Sequence, residues 1–322
     1  MKLTFDQIKS ITFGATSIEY TDGMYRFHRF GTEVEKMYEQ YAPEKYGASM
    51  ATTGTLIDFI TDSKNVSFSV FNAANDEGRY FIDAYVNDLL ALSYHPTKDR
   101  TPHTLTLGEG ESRVRIYFDS HTICKLDFIE IDDGASIRPT PKGERALIFG
   151  DSITQGARCN HTSLSYANLI TEHFGWNATS FAIGGDIFRE WIPGTVPLCD
   201  PDIITVAYGT NDWNSETRES IDAAARGFFA RIRSLYPKAR IFYISPVWRR
   251  GYTREVASGS FADNIAILES IAKEYGAETI RGWNIVPHME EFFDDGLHPN
   301  DFGYGAYARV LIKELEARGV RK

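Results

Sequence analysis

Two residues that could work as a proton-transfer pair stand three positions apart in the run DGLHPN, at 295–300: Asp295 and His298. A carboxylate at that spacing can hold an imidazole in one tautomer and stabilise it when charged. Imidazole titrates near neutral pH, so the pair is suited to take a proton from an alcohol. The alcohol on offer is Ser152, in GDSITQG at 150–156, which follows the apolar run ALIFG directly. A hydroxyl there would project at a strand end beside the opening of a helix, and it becomes a useful nucleophile only when a base accepts its proton. Two further runs supply donors of the kind that stabilise an oxyanion, typically at about 3 kcal/mol each. IGGD at 183–186 contains Gly185, whose backbone can approach closely, and GTND at 209–212 contains the carboxamide of Asn211. Each run also has a structural reading. Asp151-Ser152 could only cap a helix, Asp295-Gly296 could be a turn and His298 a loop histidine, and Gly184-Gly185 and Asn211-Asp212 could be simple turns. Asp151 and Asp186 read as acceptors for loop amides or helix starts, without a chemical role.

The elements that must position these residues change character along the chain. From about residue 10 to 133, short alternating segments follow one another: GTLIDFIT, NVSFSVFNA, RYFIDAYVND, HTLTLGEG, SRVRIYFDS and CKLDFIEID. Period-two runs broken by turn residues, such as those at 75–78 and 108–110, predict an all-β sandwich or jelly roll. The stretch 35–46 reads as a loop or a short helix. DDGASIRPTPKGER, dense in Gly, Pro and charge, places a domain boundary near residue 140, giving units 1–140 and 141–322. Beyond it strands alternate with helices. ALIFG, ATSFAI, DIITVAYG, ARIFYISP and 278–283 are strands, and 163–174, 221–236, 261–275 and 303–318 are helices. That order predicts an α/β domain with a parallel sheet covered on both faces, and all four chemical runs fall at strand ends or in the last loop.

In this order, GDSITQG, IGGD, GTND and DGLHPN resemble the blocks of the SGNH hydrolases, also called the GDSL esterase and lipase superfamily. The resemblance runs from about Ala146 onward and implies a flavodoxin-like, three-layer α/β/α domain. It implies Ser152 as nucleophile, His298 as general base and Asp295 as its orienter. It also implies an oxyanion hole made by the amides of Ser152 and Gly185 and the side-chain NH₂ of Asn211. One departure is visible: many members carry Asn shortly before the second-block glycine, where this chain has Ser180-Phe181-Ala182. Chains that join a β-sandwich or jelly roll to such a domain resemble certain carbohydrate esterases, which remove acetyl groups from polysaccharides or oligosaccharides. By that analogy the expected reaction is hydrolysis of a short acyl ester, acetyl above all, on a carbohydrate, through an acyl-enzyme on Ser152. An acyltransferase, or a lipase or thioesterase for longer chains, would use the same residues. A glycan-binding sandwich beside an inert hydrolase half is a further alternative.

On the substrate side, Trp213 follows GTND and Trp248, Arg249 and Arg250 follow ARIFYISP, so both Trp rings are expected at the rim of a cleft, where aromatic faces suit sugars or acyl chains; core packing is the alternative. GDSITQG has no Lys before a Ser or Thr, which excludes a phosphate-cradling loop, and no GxSxG elbow occurs. His28, His95, His103, His121, His161, His173 and His288 show no ligand-spaced pairing, so neither metal nor cofactor is expected. A formal net charge of −10 argues against a nucleic-acid partner. No run approaches membrane-spanning length, and the opening MKLTFDQIKS lacks a signal's apolar core. With Cys124, Cys159 and Cys199 in no pairing pattern, a cytoplasmic setting is expected. The expected partner is a small-molecule or oligosaccharide ester, and the sandwich leaves contacts between copies, a homo-oligomer, open.

Overall fold

The computed structural model describes residues 1–72, 80–195 and 200–322, so the turn expected at 75–78 and Cys199 lie outside the described residues. The amino-terminal part is a sandwich of two antiparallel sheets. One carries, in spatial order, Thr12–Phe13, Leu56–Thr61, Ser112–Tyr117, Ile82–Val86 and Leu89–Tyr94, with Ile137–Pro139 also paired to Leu56–Thr61. The other runs Ser17–Thr21, Met24–His28, Cys124–Ile131, Asn65–Asn72 and His103–Thr106. Alternation builds the core between them: in Asn65–Asn72, Val66, Phe68 and Val70 point inward and are buried together with Ile57, Phe59, Val114, Ile116 and Leu126.

After Pro139 the chain leaves the sandwich and enters a five-stranded parallel sheet ordered Asn177–Ser180, Arg145–Gly150, Ile203–Ala207, Arg240–Ile244 and Glu278–Ile280. These strands are apolar on both faces because helices cover both. In RALIFG, Leu147 and Phe149 enter one core while Ala146 and Ile148 enter the other. Tyr166–Phe174 and Asp301–Ala317 cover one face, and Arg218–Leu235 and Phe261–Glu274 cover the other. The first strand lies between the second and the third, so the connection from first to second runs one way along the sheet and that from second to third crosses back the other way. The resulting crevice at the strands' carboxyl ends is where such sheets bind ligands.

Of the two readings of the stretch 35–46, loop or short helix, the helical one holds: the stretch belongs to two helices, Thr32–Tyr41 and Pro43–Ser49, inserted between sandwich strands. Val34, Tyr38 and Ala42 from them, with Phe30, are buried in the same core as Leu147, Phe149, Ile204 and Phe228. The amino-terminal part thus supplies a segment of the covering layer for the parallel sheet. The two parts are also joined by charge: Arg113 pairs with the fully buried Asp58 of the sandwich and with Glu172 of the Tyr166–Phe174 helix. Among the described residues no helix is long and apolar enough to cross a membrane.

Candidate active site

The first strand ends at Gly150, where no side chain fits: a Cβ would stand 2.0 Å from Thr154 Oγ1. Asp151 then caps the short helix Ser152–Gln155, its Oδ1 accepting from the Ile153 amide at 2.9 Å, and Gly156 ends the helix at φ +92°. Ser152 is consequently the first residue of a tight turn, and its amide has no acceptor among the described residues. The residue is 8% exposed.

The Ser152 Oγ lies 2.8 Å from His298 Nε2, and His298 Nδ1 lies 2.8 Å from Asp295 Oδ2. The second carboxylate oxygen of Asp295 accepts the amides of Leu297 at 3.0 Å and His298 at 2.8 Å, so one residue folds the loop and orients the ring. Burial pushes the Asp295 carboxyl up, but the amide and ring hydrogen bonds from His298 outweigh it and hold the group at about 2. An ionised carboxylate can only accept, so Nδ1 carries the proton and Nε2 is left as acceptor for the Ser152 hydroxyl. The base loop is tied to the nucleophile loop from behind, by Asn160 donating its amide to Asp301 and by the Tyr304 hydroxyl donating to the Ala157 carbonyl.

Gly185 has φ +71°, a conformation that favours glycine, and its amide too has no acceptor among the described residues. A Cβ on its neighbour Gly184 would be 3.8 Å from the Ser152 Cβ, so the IGGD loop borders the nucleophile directly. The Asn211 Nδ2 donates to the Asp186 carbonyl at 3.0 Å, which fixes the carboxamide and leaves its second hydrogen available. The structure thus joins Ser152, His298 and Asp295 in one hydrogen-bonded relay, sets Gly184 of IGGD against Ser152, and ties Asn211 to Asp186 of the same loop. Asp151 and Asp186 have structural bonds: Asp186 accepts from Tyr38 and Arg189.

Trp213 is a correction. Expected at the rim, it is wholly buried, donates its indole N–H to the Gly259 carbonyl and packs on Phe261 and Ile265. GTND opens the helix Thr210–Ser215, and the residue after Asp212 falls on its inward side. The Trp213 ring is overlaid by Arg249 and Arg254 and meets no open space. Trp248 is half-buried and stacks on His288.

Four residues of the site's surroundings escaped sequence reasoning. Gln155 accepts the Gly184 amide at 2.7 Å; it sits inside GDSITQG, so its position was a usable signal. Arg158 places Nε 3.4 Å from Asp295 Oδ2. Lys45 donates to the Gly184 carbonyl at 2.8 Å, and Arg29 donates to the carbonyls of Ser180 and Ala182. Nothing local marks the last two, which are remote in sequence.

Residues 148–306 match the model of the GDSL-like Lipase/Acylhydrolase family. The carboxyl-terminal part is a GDSL-like lipase/acylhydrolase domain. No curated protein matches the chain. Among solved structures, the salicylyl-acyltransferase SsfX3 from a tetracycline biosynthetic pathway superposes with a TM-score of 0.86 at 18% identity, covering 99% of this chain and 98% of its own. A family two carbohydrate esterase from Cellvibrio japonicus gives 0.67 at 17% identity, over 96% of each chain. The acetyl xylan esterase Est2A from the rumen bacterium Butyrivibrio proteoclasticus gives 0.67 at 14%, over 99% of each. The likeness thus spans sandwich and GDSL-like domain together, and at these identities it is a likeness of fold.

Proposed function

We propose that this protein is a serine esterase that removes a short acyl group, acetyl in the first place, from a carbohydrate hydroxyl. The observation that carries the reading is the hydrogen-bonded relay Ser152–His298–Asp295; the amides of Ser152 and Gly185, which have no acceptor among the described residues, and the carboxamide of Asn211 are its proposed oxyanion donors. In the first step Ser152 Oγ bonds to the ester carbonyl carbon while His298 Nε2 takes the hydroxyl proton; the carbonyl oxygen becomes an oxyanion held by the three donors. Collapse breaks the carbon–alkoxy bond, His298 returns its proton to the departing alcohol, and an acyl-serine remains. Water then attacks in the same way, its proton passing through His298, and the acid leaves with Ser152 restored. The full-length likeness to carbohydrate esterases supports the acetyl and sugar part of the reading.

A second reading, transfer of the acyl group to an alcohol in place of water, is favoured by the likeness to an acyltransferase. One experiment addresses both. The purified protein is offered p-nitrophenyl esters of graded length and acetylated oligosaccharides, with and without added sugar acceptors. Faster cleavage of acetate than octanoate and release of free acetate support the deacetylase. Acyl products on the acceptor support the transferase, and a strong preference for long chains counts against the deacetylase and for a lipase or thioesterase.

A further inference from the structure

The sandwich part reaches the reacting centre through two cations. Arg29 is fully buried and, among the described residues, donates only to main-chain carbonyls: Ala51 from Nε at 2.6 Å, Ala48 and Ser49 from Nη2 at 3.0 and 3.5 Å, and Ser180 and Ala182 from Nη1 at 2.8 and 3.1 Å. The last two acceptors line the exit of the strand that leads to Gly185. Lys45, on the Pro43–Ser49 helix, takes the next carbonyl in the alternation, Gly184, at 2.8 Å. Its ammonium also lies 2.5 Å from the point where a Cβ on Gly185 would stand.

A trans peptide unit is planar, with its C=O and N–H directed oppositely. The carbonyl of Gly184 and the amide of Gly185 belong to one such unit. Lys45 therefore grips the far end of the group whose near end is the Gly185 donor. The preceding peptide is held as well, because the Gly184 amide binds Gln155, whose carboxamide donates to the Ser120 carbonyl at 2.9 Å and to Thr53 Oγ1 at 3.3 Å. We propose that Lys45 is a positioning residue for the oxyanion hole: its charge-assisted bond to the Gly184 carbonyl orients the Gly185 amide and polarises it as a donor. Ionic hydrogen bonds are stronger than neutral ones, and a carbonyl that accepts one strengthens the donor across the same amide. This part of the catalytic machinery thus comes from the sandwich half of the chain. The inference rests on the acyl-transfer reading of Ser152.

The test uses full-length Lys45→Met and Lys45→Arg with p-nitrophenyl acetate, phenylboronic acid as a tetrahedral mimic, and thermal denaturation. In Lys45→Met, kcat should fall about 10- to 100-fold, as for loss of one oxyanion donor in part, while KM stays within about twofold. The inhibition constant of phenylboronic acid should rise by a similar factor, and Lys45→Arg should recover most of both losses. Wild-type kcat in Lys45→Met would overturn the proposal. So would a loss that follows the melting temperature while boronate inhibition is unchanged, since that is the signature of a fold contact alone. If the wild-type protein turns over no ester and Ser152 takes up no fluorophosphonate label, the acyl-transfer reading fails, and this inference with it.

Discussion

At the scale of single residues the relay makes sharp demands. Ser152→Ala and His298→Ala should each lower kcat for p-nitrophenyl acetate by about 10³-fold or more, with circular dichroism unchanged; retained activity in either pure variant would remove the residue from the mechanism. Asp295 ionises at about 2, so the rate profile should show no inflection from it above about pH 4. Gly185→Ala sets a strained φ of +71° against a Cβ 2.5 Å from the Lys45 ammonium. The flexible lysine can swing away, but then it releases the Gly184 carbonyl. We expect kcat to fall at least about 10-fold in this variant with little change in KM, a split that steady-state kinetics reads directly. Legibility at this scale followed sequence distance. Asp295 and His298 lie in one run and could be recognised together. Lys45 is separated from Gly184 by some 140 positions, and no local pattern marks a lysine that will meet a distant carbonyl. Trp213 was misplaced for another reason: adjacency to GTND says that it is near the site, but the first turn of a helix decides which way the ring faces.

At the scale of elements, the period of the apolar residues identified the strands and long helices, while caps decided their ends. The helix expected at 221–236 is Arg218–Leu235 because the Thr217 hydroxyl accepts the Ser220 amide and starts it a turn early. The helix expected at 303–318 is Asp301–Ala317, begun by Asn300. The strand expected at 278–283 stops at Ile280, since Gly282–Asn284 turns away as a short 3₁₀ helix. One loop contact yields a stability prediction. Asp212 ties GTND to the neighbouring loop by accepting the Phe188 amide at 3.0 Å, while its other oxygen has no partner among the described residues, and burial, with Asp151 and Asp186 nearby, raises its carboxyl to about 7. The folded form keeps a proton that the unfolded chain releases near 3.9, so this residue costs stability progressively from about pH 4 to pH 7. Asp212→Asn keeps the acceptor and removes the charge. Its melting temperature should match wild type near pH 4 and exceed it by several degrees at pH 8, and a constant difference across that range would refute the protonation account.

At the scale of the whole molecule, the sandwich and the GDSL-like domain share structure. Arg113 holds the fully buried Asp58 and Glu172 at once, and Lys142 adds a second cation to Asp58. Burial pushes the Asp58 carboxyl up, but the bonds to Arg113 and Lys142 outweigh it and lower it. Its contribution to stability is therefore complete above the unfolded value near 3.9 and is lost as pH falls below that. Arg113→Met leaves a buried carboxylate short of its main partner and should lower the melting temperature by several degrees at pH 7, with the gap narrowing in acid and kcat within about twofold of wild type. The division into two fold types was legible because the period of the pattern changes near residue 140. The contribution of Thr32–Tyr41 to the second core was not, because an amphipathic stretch does not name the surface it will cover.

That helix bears on how the protein is made. A ribosome delivers Phe30, Val34, Tyr38 and Ala42 more than a hundred residues before Leu147, Phe149 and Phe228, the side chains they finally pack against. During that interval the nascent sandwich carries an apolar face with its counterpart still unsynthesised, a circumstance that invites chaperone capture and slows closure through a long loop. A released fragment 1–140 should accordingly bind the dye ANS where the full chain does not, and the two halves should regain their shape only as one cooperative unit.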